Sequence, residues 1–356
     1  MTVPAPGRSL TALPKAHLHL HFTGSMRVGT VRDLAERHGM RLPSAFTTRW
    51  PPELSGADER GWFRFQRLYD AARACVRGEA DMRRIVREAA EDDAAEGSRW
   101  LEIQVDPTSY APFVGGLTPA LEIVLDEARA ASAATGTLVA VVVAASRMRH
   151  PLEARTLARL AARYAGDGAG TVVGFGLSND ERRGRTSDFA PAFRIATRAG
   201  LASVPHAGEL LGADHVHVAL EHLVPARLGH GVRTVEDPSV LDRVVRDEVT
   251  LEVCPTSNVA LGVYPDLASV PVRALLRSGA RVALGADDPL LFGSRLLDQY
   301  QSARTDQGLD DEDLAALARH SVQGSLAPTT VKTDLLRRID AWLASADQVT
   351  LDGWSP

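Results

Sequence analysis

Short, almost continuously apolar runs recur eight times along the chain, at 18–22 (LHLHF), 100–105, 138–145, 172–177, 201–206, 227–230, 249–254 and 281–286. Apolarity at consecutive rather than alternate positions is the pattern of strands buried on both faces, as in a parallel sheet. Between the runs lie longer segments rich in Ala, Arg, Leu and Glu with helical spacing, among them 118–134, 152–165, 237–247 and 271–279, the last closing on Gly279. Strand–helix alternation eight times over 356 residues predicts an α/β chain folded as a single (β/α)8 TIM barrel, 1–356. A doubly wound open sheet is the alternative, and it is weakened because no G-x-G-x-x-G follows the first run.

Two segments exceed the simple repeat. Segment 25–98 is too long for an ordinary connection and predicts extra helices between strands 1 and 2 that cover the C-terminal mouth of the barrel. It carries Trp62, Phe65 and Tyr69 at helical spacing. Segment 310–356 predicts a helical tail packed on the barrel exterior.

Composition narrows the function class. A net charge of −5 excludes a globally basic nucleic-acid or membrane-surface binder, though not a local basic patch. Two cysteines, Cys75 and Cys254, exclude a disulfide scaffold and a Cys-rich zinc cage. The opening MTVPAPGRSL has no apolar signal core and no run approaches 18 apolar residues, so a cytoplasmic protein is the expectation. Oligomeric state is not legible.

Barrel enzymes keep their chemistry at the C-terminal strand ends, and the polar outliers gather there. His19 and His21 stand at i and i+2 of the first run and can face one metal. Run five ends in His206-Ala207-Gly208-Glu209, run six in Gly229-His230-Gly231, and run eight in Ala286-Asp287-Asp288-Pro289. Three imidazole nitrogens and a carboxylate oxygen would leave one position open for water on a cation such as zinc. Each piece alone has an ordinary structural reading: a hydrogen-bonded core histidine, an N-cap aspartate before proline, a first-turn glutamate. Four costly buried polar groups at one barrel mouth have no such reading together. Lys15 and Lys332, the only lysines, are misplaced for a carbamylated bridge between two metals, which favours a mononuclear site. A cytidine-deaminase-type zinc site needs C-x-x-C, which is absent. Of the other histidines, His17 shares the phase of His19 but is expected deeper in the barrel. His215 and His217 fall on a helix, and His38, His150, His222 and His320 show no partner pattern.

The motifs LPKAHLHLHFTGS (13–25), WLEIQVDPTSYAP (100–112), RMRHP (147–151), GFGLSNDE (174–181), PHAGE (205–209), RLGHG (227–231), LEVCPTSN (251–258) and GADDP (285–289) together resemble the adenosine deaminase family. The resemblance implies one zinc or other divalent metal per chain held by His19, His21, His206 and Asp287. It places Glu209 at N1 of a purine, His230 beside the water, Asp288 at N7 and the Asn179 loop at N3, with Gly208 in the substrate loop. Trp62, Phe65 and Tyr69 would form an apolar lid. The implied reaction is hydrolytic loss of the 6-amino group from an adenosine-type nucleoside.

Two positions depart from the family pattern. Thr23 stands where an acidic residue contacts the ribose 5′-hydroxyl, and Asn179 replaces a glycine. Loss of that acid favours a substrate without a free 5′-hydroxyl, such as the menaquinone precursor aminodeoxyfutalosine, whose carboxylate would need Arg27 or an arginine in 60–73. Adenine, or another amidohydrolase substrate, is the alternative on the same barrel, and segment 25–98 favours a nucleoside over it. An inactive ligand-binding module is the remaining alternative, against which the intact ligand set and Glu209 argue.

Overall fold

The computed structural model describes residues 7–54 and 59–345. Eight parallel strands follow one another round the sheet in chain order: β1 (Lys15–His21), β2 (Ser98–Val105), β3 (Leu138–Ser146), β4 (Val172–Ser178), β5 (Ala202–Ala207), β6 (Arg227–His230), β7 (Thr250–Val253) and β8 (Arg281–Leu284). The ring closes between β8 and β1, where His21 N donates to Asp287 O at 3.0 Å and Asp287 N donates to His19 O at 3.0 Å. The result is the expected (β/α)8 barrel, with a strand on each apolar run. Side chains alternate along the strands. In β2, Leu101, Ile103 and Val105 pack among the surrounding helices, while Glu102 and Gln104 reach buried partners on other strands.

Among its described residues, segment 25–98 forms three α-helices, α1 (Val28–Arg37), α2 (Glu59–Ala74) and α3 (Glu79–Ala95), with a short 3-10 turn at Ser44–Phe46. Only α2 contributes side chains to the cavity at the mouth. The expectation that the whole insertion covers the mouth is corrected by α3, which packs on β2 and on helix Leu117–Thr135 as a regular helix of the barrel wall. The tail is helical and packs on the barrel exterior, as expected. Helix Asp311–Gly324 packs against both β8 and β1 and completes the helical ring, and helix Thr329–Ala344 packs on it. Residues 346–356 of the expected tail lie outside the described residues.

His17 departs from its expected phase. The β1–β2 register shifts between His17 and Leu20, and this irregularity takes His17 out of step with His19. Its Nδ1 donates to Asp93 of α3 at 3.0 Å, and its Nε2 accepts from Ala286 N at 3.1 Å. Lys15 opens β1 at the opposite end from the mouth, where its ammonium donates to Leu10 O and Glu96 O. Among the described residues, no helix is long and apolar enough to cross a membrane.

Candidate active site

At the C-terminal mouth lies a cavity of about 540 Å³. That volume is within the usual range for small-molecule sites, roughly 300–1,000 Å³. His21, His206, Glu209, His230, Asp287, Asp288 and Asn179 all line it, from five different strand ends. The backbone there is unusual: Asn179, His230 and Asp287 all have positive φ, at 80°, 62° and 60°. Left-handed backbone is costly for non-glycine residues and concentrates where function demands it. Asn tolerates this region better than most, which explains why Asn179 can stand at a glycine position.

The imidazoles converge. His21 Nε2 is 3.2 Å from His206 Nε2 and 3.1 Å from Asp287 Oδ1. His19 Nε2 lies 3.5 Å from the same oxygen and has no hydrogen-bond partner, although it is fully buried. His19 Nδ1 donates to Glu252 Oε2 at 2.8 Å, so Nε2 is the nitrogen left for a ligand. Burial alone would depress the His19 imidazole, but Asp287 and Glu252 outweigh it and push it up to about 10. A divalent cation among these nitrogens and Asp287 would satisfy the orphaned Nε2, so the residues fit a metal. Ligating atoms of His19, His206 and His230 also lie within 4.8 Å of one another, as do those of His19, Cys254 and Asp287. Cys254 is a poor competitor, because burial and the neighbouring carboxylates push its thiol well above the ordinary value and keep it protonated.

Gly229 explains an otherwise weak motif. A Cβ there would sit 2.9 Å from His206 Nδ1 and 3.0 Å from His19 Cε1, so only glycine leaves room for both rings.

Around the imidazoles three groups are poised for proton work. His230 Nε2 is 3.5 Å from Glu209 Oε1. Burial lowers the His230 pKa to about 3, so the ring is a neutral base. Glu209 and Asp288 are both held well above ordinary carboxyl values, first by burial and then by the charge of Asp287. Both carboxyl groups line the cavity, where this shift favours the protonated, hydrogen-bond-donating form.

On α2, Trp62, Phe65 and Tyr69 line the cavity from above. Phe65 stacks on Phe292 with centroids 5.7 Å apart, just past the Asp287–Asp288 pair. Two expected substrate contacts do not reach the cavity. Thr23 is buried with its hydroxyl 2.5 Å from Tyr110 Oη, and the Gly208 N–H donates to Glu181. Arg27 also points elsewhere, pairing with Asp92 and Glu91 on α3. Of the arginines in 60–73, Arg73 lines the cavity.

The sequence reading missed the charges beneath the site. Arg227 donates to Glu252 Oε1 and to Glu102 Oε2, both at 2.5 Å, and all three are buried in the barrel. Glu102 also accepts from Trp100 Nε1 and Leu326 N. Their signal was visible: charged residues interrupting apolar strand runs are expensive unless paired. His215, expected to have no role, donates from Nδ1 to Glu181 at 2.6 Å.

A parallel eightfold barrel with imidazoles, a carboxylate and protonated acids at its C-terminal mouth defines the class of metal-dependent barrel hydrolases. The adenosine deaminase family profile matches residues 14–342, so the chain belongs to the adenosine deaminase family, and it is a hydrolytic deaminase. It is 60% identical over 336 residues to a Streptomyces virginiae protein provisionally named adenosine/adenine deaminase, covering 94% of this chain and 98% of that one. A solved adenine deaminase from Arthrobacter aurescens superposes with a TM-score of 0.85 at 30% identity, covering 93% of this chain and 99% of that one. An amidohydrolase of Burkholderia ambifaria, solved with bound zinc, shares the fold with a TM-score of 0.82 at 24% identity and 94% coverage of each chain.

Proposed function

We propose that this protein hydrolyses the 6-amino group of a purine, with adenine favoured over its nucleosides and one zinc ion held by His19, His21, His206 and Asp287. The observation that carries the reaction is the placing of Glu209, Asp288 and His230 round one cavity with His21, His206 and Asp287. When bound, the metal supplies a water acidified to a pKa of about 7. His230 holds that water and accepts its proton. Attack at C6 pushes electron density onto the ring, and Glu209 donates its proton at N1. Asp288 donates a hydrogen bond at N7. His230 returns its proton to the amino group, which leaves as ammonia when the C6–N bond breaks, and the C6 hydroxyl proton passes back to Glu209 as the carbonyl forms.

Adenine is favoured over the nucleoside of the initial expectation because no acceptor for a ribose 5′-hydroxyl stands at position 23. The Thr23 hydroxyl is engaged by Tyr110. The Arthrobacter aurescens relative, named an adenine deaminase, supports the same reading. The nucleoside remains the second reading, favoured by the 540 Å³ volume and the apolar face of α2. An acidic 5′ arm such as that of aminodeoxyfutalosine finds no partner in Arg27, which α3 occupies, and Arg73 is the arginine of 60–73 left to meet it.

The test is a side-by-side comparison of kcat/KM for adenine, adenosine, deoxyadenosine and aminodeoxyfutalosine, followed by ammonia release. Adenine is expected to lead by at least ~10-fold, about 1.4 kcal/mol of differential transition-state binding. A lead for adenosine would select the second reading, and no ammonia from any of the four would refute the proposal.

A further inference from the structure

Glu181 lies just past the end of β4 and is buried, yet it faces no substrate-lining position in the scheme above. Its carboxylate gathers four consecutive backbone N–H groups. Oε1 accepts from Gly208 N, and Oε2 accepts from Glu209 N at 3.1 Å, Leu210 N at 2.7 Å and Leu211 N at 2.8 Å. His215 Nδ1 adds a fifth donor at 2.6 Å. Successive N–H groups turned to one side form a concave nest that binds an anion, and here the protein supplies the anion itself. The nest opens at Gly208, whose φ of 72° only glycine adopts without cost.

The contacts continue toward the metal ligands. His215 Nε2 accepts from the Thr186 hydroxyl at 3.0 Å, and Arg147 donates to that same hydroxyl at 2.9 Å. The other arm of Arg147 donates to His206 O at 2.6 Å. Glu181, His215, Thr186 and Arg147 thus tie the backbone of a ligand and the backbone of Glu209 into one buried hydrogen-bonded set.

We propose that Glu181 is a positioning residue, whose carboxylate sets the conformation of 208–211 and so fixes where the Glu209 carboxyl meets the purine edge. This rests on the reading of Glu209 as the proton donor at N1. Glu181 touches neither substrate nor metal and acts through the loop. A carboxylate is required because every group that faces it is a donor. Glutamine would turn a donor NH2 toward donors and leave at least one buried N–H without a partner.

The experiment compares Glu181→Gln and Glu181→Asp with wild type in three readouts: steady-state adenine deamination, metal content, and amide hydrogen exchange across 208–211. Glu181→Gln is expected to keep its metal and KM within about twofold, to lose at least ~10-fold in kcat, and to exchange at least ~10-fold faster at 208–211, since sub-ångström misplacement of a catalytic group is felt mainly in turnover. Glu181→Asp, which keeps the acceptor, is expected to recover most of both effects. Unchanged kcat and exchange in a folded Glu181→Gln overturn the proposal, as does a kcat loss that only tracks lost metal. If Glu181→Gln does not fold, His215→Gln removes one donor from the nest. It is then expected to lower kcat about threefold or more with metal retained, and wild-type kcat overturns the proposal. If wild type turns over no purine, the reading of the reaction fails, while exchange at 208–211 still decides whether Glu181 sets that loop.

Discussion

His19 Nδ1 donates to Glu252 Oε2 at 2.8 Å in the fully buried interior of the barrel. This bond fixes the tautomer that leaves Nε2 free for a cation, and the carboxylate makes the ring a better donor. Glu252 stays ionised although burial opposes it, because Arg227 and His19 hold its pKa below the ordinary value. Replacing Glu252 by Gln is therefore expected to weaken metal affinity ~10–100-fold. Chelator competition measures it, and an unchanged dissociation constant would show the pair to be packing only.

Gly229→Ala tests the space between the ligands. The added methyl would meet both His206 and His19 at about 3 Å. Overpacking of this kind costs about 1–3 kcal/mol in a well-packed core. We expect lowered denaturant stability together with loss of bound metal. A variant that binds metal normally would mean that the two rings can retreat without leaving the site.

The eight strands were legible because each is a short apolar run bounded by turn residues, and the polar outliers at their ends are residues that meet round the mouth cavity. What escaped depended on contacts between distant elements. Thr23 was assigned to the substrate from its place in the first motif, but its partner Tyr110 lies 87 residues away. The Glu181 nest joins β4 to the loop after β5, and no local pattern announces it. His17 read as inward-facing because ideal alternation has no place for the register shift that turns it to α3.

Glu209→Gln is expected to retain metal but lose at least ~10²-fold in kcat, since the amide hydrogen-bonds at N1 without a proton to give. Parallel metal analysis and steady-state rates check this. Near-normal turnover would leave Glu209 with no part in the chemistry.

His320 offers a pH test remote from the metal. Its Nδ1 accepts from Val282 N at 3.2 Å, and burial lowers its pKa from 6.5 to about 4, with Arg281 and Arg319 adding to the effect. The unfolded chain binds a proton here that the folded chain refuses. Its contribution is therefore complete above about pH 6.5 and is lost as pH falls toward about 4. In His320→Gln the fall in Tm across that window is expected to be shallower. Equal slopes in the two proteins would assign the acid sensitivity to other groups.

The most direct test of the account is a zinc titration of metal-free protein, following adenine consumption and ammonia release at each addition. Activity is expected to be absent without metal, to rise linearly, and to reach its plateau at one zinc per chain. Full activity before any metal is added, a plateau at two per chain, or no ammonia at any loading would contradict it.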